Sequence, residues 1–232
     1  MTISARIIAD SMSPNGVRIT TYELEYPRFI HAEFMTHRLF SRNAASSRAI
    51  PVKRAIELVI ENTARPVHWG KNQPGMSAKE ECENMVWLTE GHVEREDAWD
   101  RARDAAIFHA DAFNEAGYHK QIVNRMLEPF THIKVVCTAT EYDNFFWLRK
   151  HPDAQPEIQE LAERMWEARE NSKPYALDVG KWHVPYYMDG YWEACSERED
   201  GLDVHGNSLE DAIAVSASCC AQVSYRKLDD SL

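Results

Sequence analysis

The sequence has no excess of positive charge, no long apolar run, no paired-cysteine motif and none of the short glycine or histidine motifs that announce common cofactor chemistry. Its 37 acidic and 26 basic side chains leave a net charge of -11 over 232 residues. Nonspecific binding to a nucleic-acid polymer rests on a broad positive surface that releases counterions, so that class is disfavoured. Any anionic ligand must meet a local basic site. No apolar stretch approaches the ~18 to 20 residues of a membrane span, and the opening MTISARIIADSM lacks the basic-then-apolar layout of a signal peptide. A soluble, cytoplasmic protein without a membrane partner is expected. The five cysteines (Cys82, Cys137, Cys195, Cys219, Cys220) form no CxxC pair, and two are adjacent, a spacing that suits neither a zinc site nor an ordinary disulfide. Reduced thiols in packing roles are expected; around Cys195 (EACSERED) neighbouring acids disfavour the thiolate. GxGxxG after a strand, GxxxxGK[ST], HExxH and GxSxG are all absent. Rossmann-type dinucleotide binding, P-loop phosphoryl transfer, zincin hydrolysis and α/β-hydrolase chemistry therefore have no support, and no metal site is expected.

What is present is ordinary globular material, 44% hydrophobic and 27% charged, in a length that suits a single domain over 1–232. Alternating, β-branched residues over Ile3 to Asp10 and Val17 to Glu25, joined by Ser13-Pro14-Asn15-Gly16, predict a β-hairpin that Pro27 ends. A short helix is expected to follow through Ile30 and Phe34. Ser77 and Glu80 read as a capping box at the head of a long helical region running to about Ala116, with Met85, Leu88, Trp99, Ile107, Ala110 and Phe113 available as its buried stripe, Gly91 as a point where it can break and Gly117 as its C-cap. Thr140 and Asp143 mark another helix start. Ile158, Leu161, Ala162, Met165 and Trp166 form a helical stripe after Pro152. Trp182 to Trp192 is aromatic and turn-containing, and Ser208 to Tyr225 reads as helix with room for a strand at its end. The pattern is mixed α+β, without the strand-helix alternation of a doubly wound sheet.

The most unusual stretch is Thr36 to Arg54, which holds Arg38, Arg42, Arg48, Lys53 and Arg54 and no acid, interleaved with Ser41, Asn43, Ser46 and Ser47. Guanidinium forks bind phosphate oxygens bidentately while short polar side chains approach closely, so the mixture suits a small anion. A solvated basic face with ion pairs to distant acids is the alternative. Arg125, in HKQIVNRMLEPF, and Arg149, at the end of NFFWLR, add two arginines whose stems have apolar neighbours; ligand clamp and snorkelling both fit.

His37, Arg38, Ser41, Asn43, Ser46 and Arg48 reproduce the pattern HRxxSxNxxSxR, which resembles the signature of the flavin-dependent thymidylate synthases. Six fixed residues arise by chance on the order of 10⁻⁸ per starting position. KQIVNRMLEPF around Arg125 resembles the segment of that family that carries a phosphate-binding arginine. Asn144, Phe145, Leu148, Arg149, Ala154, Gln155, Glu157 and Ile158 match NFxxLRxxxxAQxEI. Near the other end, AVSASCCAQVSY (214–225) resembles an element, SAxxAARVSY, that family members usually carry near the N-terminus, so a permuted order is expected. No clear counterpart of the family's PFEH histidine exists; Pro66-Val67-His68 is only a loose analogue.

The resemblance implies a central, mostly antiparallel sheet with long helices and a homotetramer whose sites form across subunits. It implies methylation of dUMP at C5 to give dTMP, with FAD as cofactor and NADPH and methylenetetrahydrofolate as co-substrates. Position by position, it implies FAD contacts for His37, Arg38, Asn43 and Asn144, a dUMP phosphate site of Ser46, Ser47, Arg48 and Arg125, and Arg149 against the pyrimidine as the catalytic residue. Three departures flank the nucleotide site: Thr36 replaces an arginine, Ala44 stands where a carboxylate is frequent, and Glu33 stands where glutamine is common. A carboxylate at 33 accepts from an amino group, so methylation or hydroxymethylation of dUMP or dCMP is an alternative, as is a noncatalytic flavin- or nucleotide-binding protein.

Overall fold

The structure, a computed structural model, describes residues 3–223. Two long strands open it, β1 (Ser4–Met12) and β2 (Arg18–Pro27), paired antiparallel from Ser4 opposite Glu25 to Met12 opposite Arg18. Gly16, at φ +78°, closes the turn in the left-handed region that glycine adopts without strain. A short helix α1 (His31–Phe34) and strand β3 (Ser41–Ala44) follow, then helix α2 (Val52–Glu61). The middle of the chain carries β4 (Val86–Leu88), β5 (Gly91–Val93), the long helix α3 (Arg95–Glu115) and the single turn α4 (Lys120–Val123). Strand β6 (His132–Ala139) returns to the sheet, followed by helices α5 (Asp143–Arg149) and α6 (Pro156–Glu170). Short strands β7 (Tyr175–Ala176), β8 (Trp182–His183) and β9 (Tyr191–Trp192) and helix α7 (Leu209–Gln222) complete it.

The main sheet runs β3-β6-β2-β1-β7, antiparallel except where β7 joins β1. Period-two alternation decides its faces. Tyr22, Leu24 and Tyr26 of β2 and Ile133, Val135 and Cys137 of β6 point to one side, where Phe145, Phe146, Ile158, Leu161 and Met165 of α5 and α6 cover them. Each such side chain contributes roughly 1.5–3 kcal/mol of hydrophobic free energy. The buried hydroxyl of Tyr22 donates to the Met165 carbonyl at 3.0 Å, so the apolar payload costs no unpaired hydroxyl. A bulge between Ile7 and Ala9 shifts β1 by one position, which turns Asp10 toward α6 and Ser11 toward the opposite face. There the Asp10 carboxylate takes both prongs of Arg18, at 2.9 and 2.7 Å, with Thr20 and Ser172 completing its shell.

A second core joins Val52, Ala55 and Val59 of α2 to Ala110 of α3 and to Val123, Leu127 and Phe130. The opposite sheet face is covered at one end by β8 and β9. Gly190 lies so close to β1 that a Cβ would stand 2.7 Å from that of Ala9. On the same face His183 bonds Ser11 and Thr21 through its two ring nitrogens, each at 2.9 Å.

Most sequence expectations hold for these elements, with two corrections. The helix expected from Ser77 begins only at Arg95: residues 86–93 form a hairpin, because Gly91 at φ +123° makes a turn that interrupts helical propagation. Met85 and Phe113 of the proposed stripe are accordingly exposed, while Ala110 is buried and Trp99 and Ile107 pack on the second core. Trp166 also lies outside the α6 core, where Lys150 places its ammonium 3.4 Å from the centroid of the indole.

Candidate active site

The signature stretch is held in two differently built segments. In the first, the chain leaves α1 through a series of tight turns, Thr36 N to Glu33 O at 3.0 Å and Phe40 N to His37 O at 3.4 Å among them. Arg42, from β3, reaches back and donates to the Phe34 carbonyl at 3.1 Å and the His37 carbonyl at 2.8 Å, with its guanidinium over the Phe34 ring. Arg42 is thus a backbone clamp, not the anion ligand its position in a basic run suggested.

The clamp presents His37 to α5. Phe145 and Arg149, four residues apart, lie on one face of that helix, and Phe145 meets the His37 ring edge-on at a centroid distance of 4.8 Å. Arg149 Nε–H donates to His37 Nε2 at 2.9 Å, and its Nη1 binds the Glu33 carboxylate. Burial, with Arg149 and Arg42 adding to it, holds the His37 pKa down to about 4, so the ring is neutral and its Nε2 lone pair accepts. Arg149 is therefore fixed by one anion and one neutral acceptor. Thr36, in place of an arginine, turns its hydroxyl back onto the Glu33 carbonyl at 2.7 Å. Around this cluster Thr36, His37, Arg38, Asn144, Leu148 and Arg149 line a cleft of about 240 Å³. Arg38 and Asn144 are exposed at its edge, and among the described residues Arg38 carries no ion pair.

The second segment, residues 45–51, is tied down by backbone acceptors. Asn124 donates to the carbonyls of Ser47 and Ile50 at 2.7 and 2.9 Å, Lys120 to that of Ala49 at 3.0 Å, and Ser47 Oγ to Glu128 at 2.9 Å. These contacts leave Arg48 exposed, and Arg125, next to Asn124, is exposed on the segment that holds the loop. Among the described residues neither arginine carries an ion pair, although acids outnumber bases in this chain. Ser46 and Ser47 line a second cavity, of about 310 Å³, which shares no lining residue with the first.

The structure thus brings His37, Arg38, Asn144 and Arg149 to one cleft, with Glu33 paired to Arg149, and Ser46, Ser47, Arg48 and Arg125 to another part of the surface. Between them, Asn43 donates to the Cys220 carbonyl at 2.5 Å, which docks the end of α7 on β3. The element 214–225 therefore lies beside the signature strand, with Ser224 and Tyr225 outside the described residues. His68 lies in a loop, bonded to Ala78 O at 2.9 Å, and takes no part in the cleft. The reading of charges missed Asn124 and Glu128, which build the second segment; a lone amide and acid within the apolar run IVNRMLEPF were their signal. Arg54, counted among the basic residues, is spent on Glu57 and Glu61.

A flavin dinucleotide asks for cations toward its pyrophosphate, amide or imidazole groups at its ring edge and an apolar wall. The cleft supplies Arg38, Asn144 and His37, with Phe145 and Leu148 beside them, so the donor set fits. Among the described residues no helix is long and apolar enough to cross a membrane.

Comparison with families finds a match over residues 11–174 to the one described as Thymidylate synthase complementing protein. Comparison with curated proteins finds no match. Among solved structures, a UMP/dUMP methylase, PolB, from Streptomyces cacaoi bound with 5-Br UMP is similar at 17% identity and TM-score 0.54, covering 72% of this chain and 88% of that one. Its complex with 5-Br dUMP gives the same identity and score over 72% and 90%. A flavin dependent thymidylate synthase from Helicobacter pylori, complexed with FAD and dUMP, aligns at 17% identity over 65% of this chain and 67% of that one, with TM-score 0.43. The methylase likeness bears on the fold, which is the α+β architecture with an antiparallel-dominated sheet that the sequence led us to expect.

Proposed function

The chain belongs to the Thymidylate synthase complementing protein family, the flavin-dependent thymidylate synthases, and is an enzyme of that class; from that premise we propose that it methylates dUMP at C5 to give dTMP, with FAD, NADPH and methylenetetrahydrofolate. The observation that carries the reading is Arg149, a guanidinium held between the Glu33 carboxylate and the neutral His37 ring at the wall of a cleft that also holds Arg38, Asn144, Phe145 and Leu148. When bound, the flavin supplies the redox capacity that turns a transferred methylene group into a methyl group.

The chain's own part is binding and polarisation. Arg149 donates toward a pyrimidine carbonyl and stabilises negative charge as it develops on the ring, which makes C5 nucleophilic. Because the charge is already in place and oriented, no enzyme thiol has to add to the ring. The cysteine nearest the sheet core suits no such role: burial pushes the Cys137 thiol up to about 12. His37, Arg38, Asn43 and Asn144 hold the FAD side. Arg48 and Arg125 take the nucleotide phosphate with the hydroxyl of Ser46 and, on turning away from Glu128, that of Ser47; among the described residues neither guanidinium has an ion pair to give up.

His37, Arg38 and Asn144 line one cleft, whereas Ser46 and Ser47 line another, with Arg48 and Arg125 exposed on the segments that carry Ser47 and Asn124. A homotetramer in which one copy's cleft meets another copy's arginine loop accounts for that division, with residues 1–232 acting as one catalytic domain. The position of α7 on β3 supports a permuted order, its C-terminal element standing in for one that relatives carry early in the chain. Glu33 supports a second reading of substrate: its carboxylate binds Arg149 of the cleft through one oxygen, and the other oxygen can accept from the amino group of dCMP. The test of the functional assignment is the absorbance of the purified protein. Flavin bands, present on isolation or after addition of FAD, agree with it; a colourless protein that takes up no FAD overturns it.

A further inference from the structure

The arginine loop already meets an anion of the chain's own. Ser47, between Ser46 and Arg48, donates its hydroxyl to Glu128 Oε1 at 2.9 Å. Glu128 comes from the segment that also carries Arg125, in the second of two consecutive 3₁₀ turns, Asn124–Met126 and Glu128–Phe130. It is half-buried and, among the described residues, forms no ion pair. Its charge is felt at Arg28: burial lowers the pKa of that guanidinium, and Glu128 is the foremost charge that offsets the loss. The carboxylate is not what fixes the loop. Asn124 already holds the carbonyls of Ser47 and Ile50, and Lys120 that of Ala49.

A serine hydroxyl carries one hydrogen, so it donates to one anion at a time. A phosphate held by Ser47, Arg48 and Arg125 therefore competes with Glu128 for the same hydrogen. Two acceptors that can share one hydroxyl also lie within two hydrogen-bond lengths, about 5–6 Å. Over that span like charges repel by more than thermal energy even at an effective dielectric constant of about 20. Any phosphate entering the loop must then break one charge-assisted bond and approach a carboxylate.

We propose that Glu128 is an internal competitor for the nucleotide phosphate, a specificity-determining residue that keeps the arginine loop clear of free phosphate. Inorganic phosphate meets the cost of releasing Ser47 with phosphate contacts alone. A nucleotide meets the same cost with the contacts of its sugar and base added, so discrimination comes from a repulsive element as well as from attractive ones. The proposal rests on the phosphate site assigned above to Ser46, Ser47, Arg48 and Arg125.

The test is calorimetric titration of the FAD-supplemented protein with dUMP and, separately, with inorganic phosphate, in the parent, Glu128→Ala, Ser47→Ala and the double variant. Glu128→Ala is expected to bind both ligands about 10-fold more tightly, because no charge-assisted bond has to be broken first. Ser47→Ala in the parent removes the bond broken together with the bond made, so Kd moves by about 2-fold or less, whereas in the Glu128→Ala background it weakens binding by about 10-fold. Glu128→Gln keeps the shape without the charge and gives part of the gain, which also serves if the alanine variant does not fold. A carboxylate that only supports the fold gives the opposite sign, a lower Tm with equal or weaker binding. Binding that is unchanged or weaker in the folded Glu128 variants, equal effects of Ser47→Ala in both backgrounds, or phosphate taken up by none of the proteins overturns the proposal. Flavin uptake and turnover of dUMP are read in separate assays: a protein that passes those and shows no gain fails this proposal alone, and one that shows the gain without turnover fails the functional assignment alone.

Discussion

Replacing Arg149 by alanine separates a role in chemistry from a role in folding. The side chain makes a hydrogen bond to His37 at 2.9 Å, an ion pair with Glu33 and a long contact of 3.5 Å to Thr36. Glu33 is 32% exposed and Arg149 20%, so the carboxylate left behind rehydrates, and the net loss of stability is about 1 kcal/mol. In a chain of this length that lowers Tm by about 2–4 °C. Removing a pre-oriented donor to a developing anion costs far more in rate, about 3–4 kcal/mol or roughly 10²–10³-fold in kcat. Arg149→Lys keeps the charge but not the fork, so it should recover only part of that loss. The assay is release of the C5 hydrogen from labelled dUMP, with flavin content read from the same preparations. Turnover within a factor of about two of the parent protein, with flavin retained, would refute the assigned role.

Other consequences arise from the same geometry. Arg48→Ala and Arg125→Ala, which break no ion pair among the described residues, should leave stability within about 0.5 kcal/mol while raising KM for the nucleotide by about 10-fold or more, an effect that weakens as salt is added; unchanged KM in both contradicts the phosphate site. Asp10→Ala strands the largely buried Arg18, so urea unfolding should show a loss of about 3–5 kcal/mol, and a loss under about 1 kcal/mol would mean water reaches that pair. Burial holds both His37 and His183 at a pKa of about 4 in the fold, whereas the unfolded chain protonates them near 6.5. The unfolded state therefore binds more protons between those values. Stability is full above pH ~6.5 and falls as pH drops toward ~4. His183→Gln should flatten part of that slope, and an unchanged slope would show that His183 is not its source.

How far the sequence could be read depends on which signals compete. The opening hairpin was legible because Tyr22, Leu24 and Tyr26 alternate with polar residues and a turn sequence separates the strands. Helix α6 was legible from its stripe, Ile158, Leu161, Ala162 and Met165, all buried. The Ser77–Glu80 cap misled because a four-residue motif carries no information on the residues beyond it, and Gly91 favoured a hairpin there. For the site, the spaced residues His37 to Arg48 marked the right stretch. Their division into two clefts was not legible, since it depends on Arg42 turning inward to two carbonyls and on Asn124 anchoring the loop from 77 residues away. Spacing along a chain does not tell which arginine in a basic run meets backbone and which meets solvent. The acidic balance disfavours a polynucleotide surface, yet Arg38, Arg48 and Arg125 stay exposed and, among the described residues, without an ion pair.

The central claim is that this fold modifies C5 of a pyrimidine deoxynucleotide through a flavin and without an enzyme thiol. Its most direct test is the purified protein incubated with FAD, NADPH, methylenetetrahydrofolate and dUMP labelled with tritium at C5, with labelled dCMP in a parallel reaction and the product identified by mass. Release of tritium with formation of the 5-methyl nucleotide, dependent on FAD and abolished in Arg149→Ala, is the result predicted. No release from either nucleotide by protein that carries flavin would contradict it.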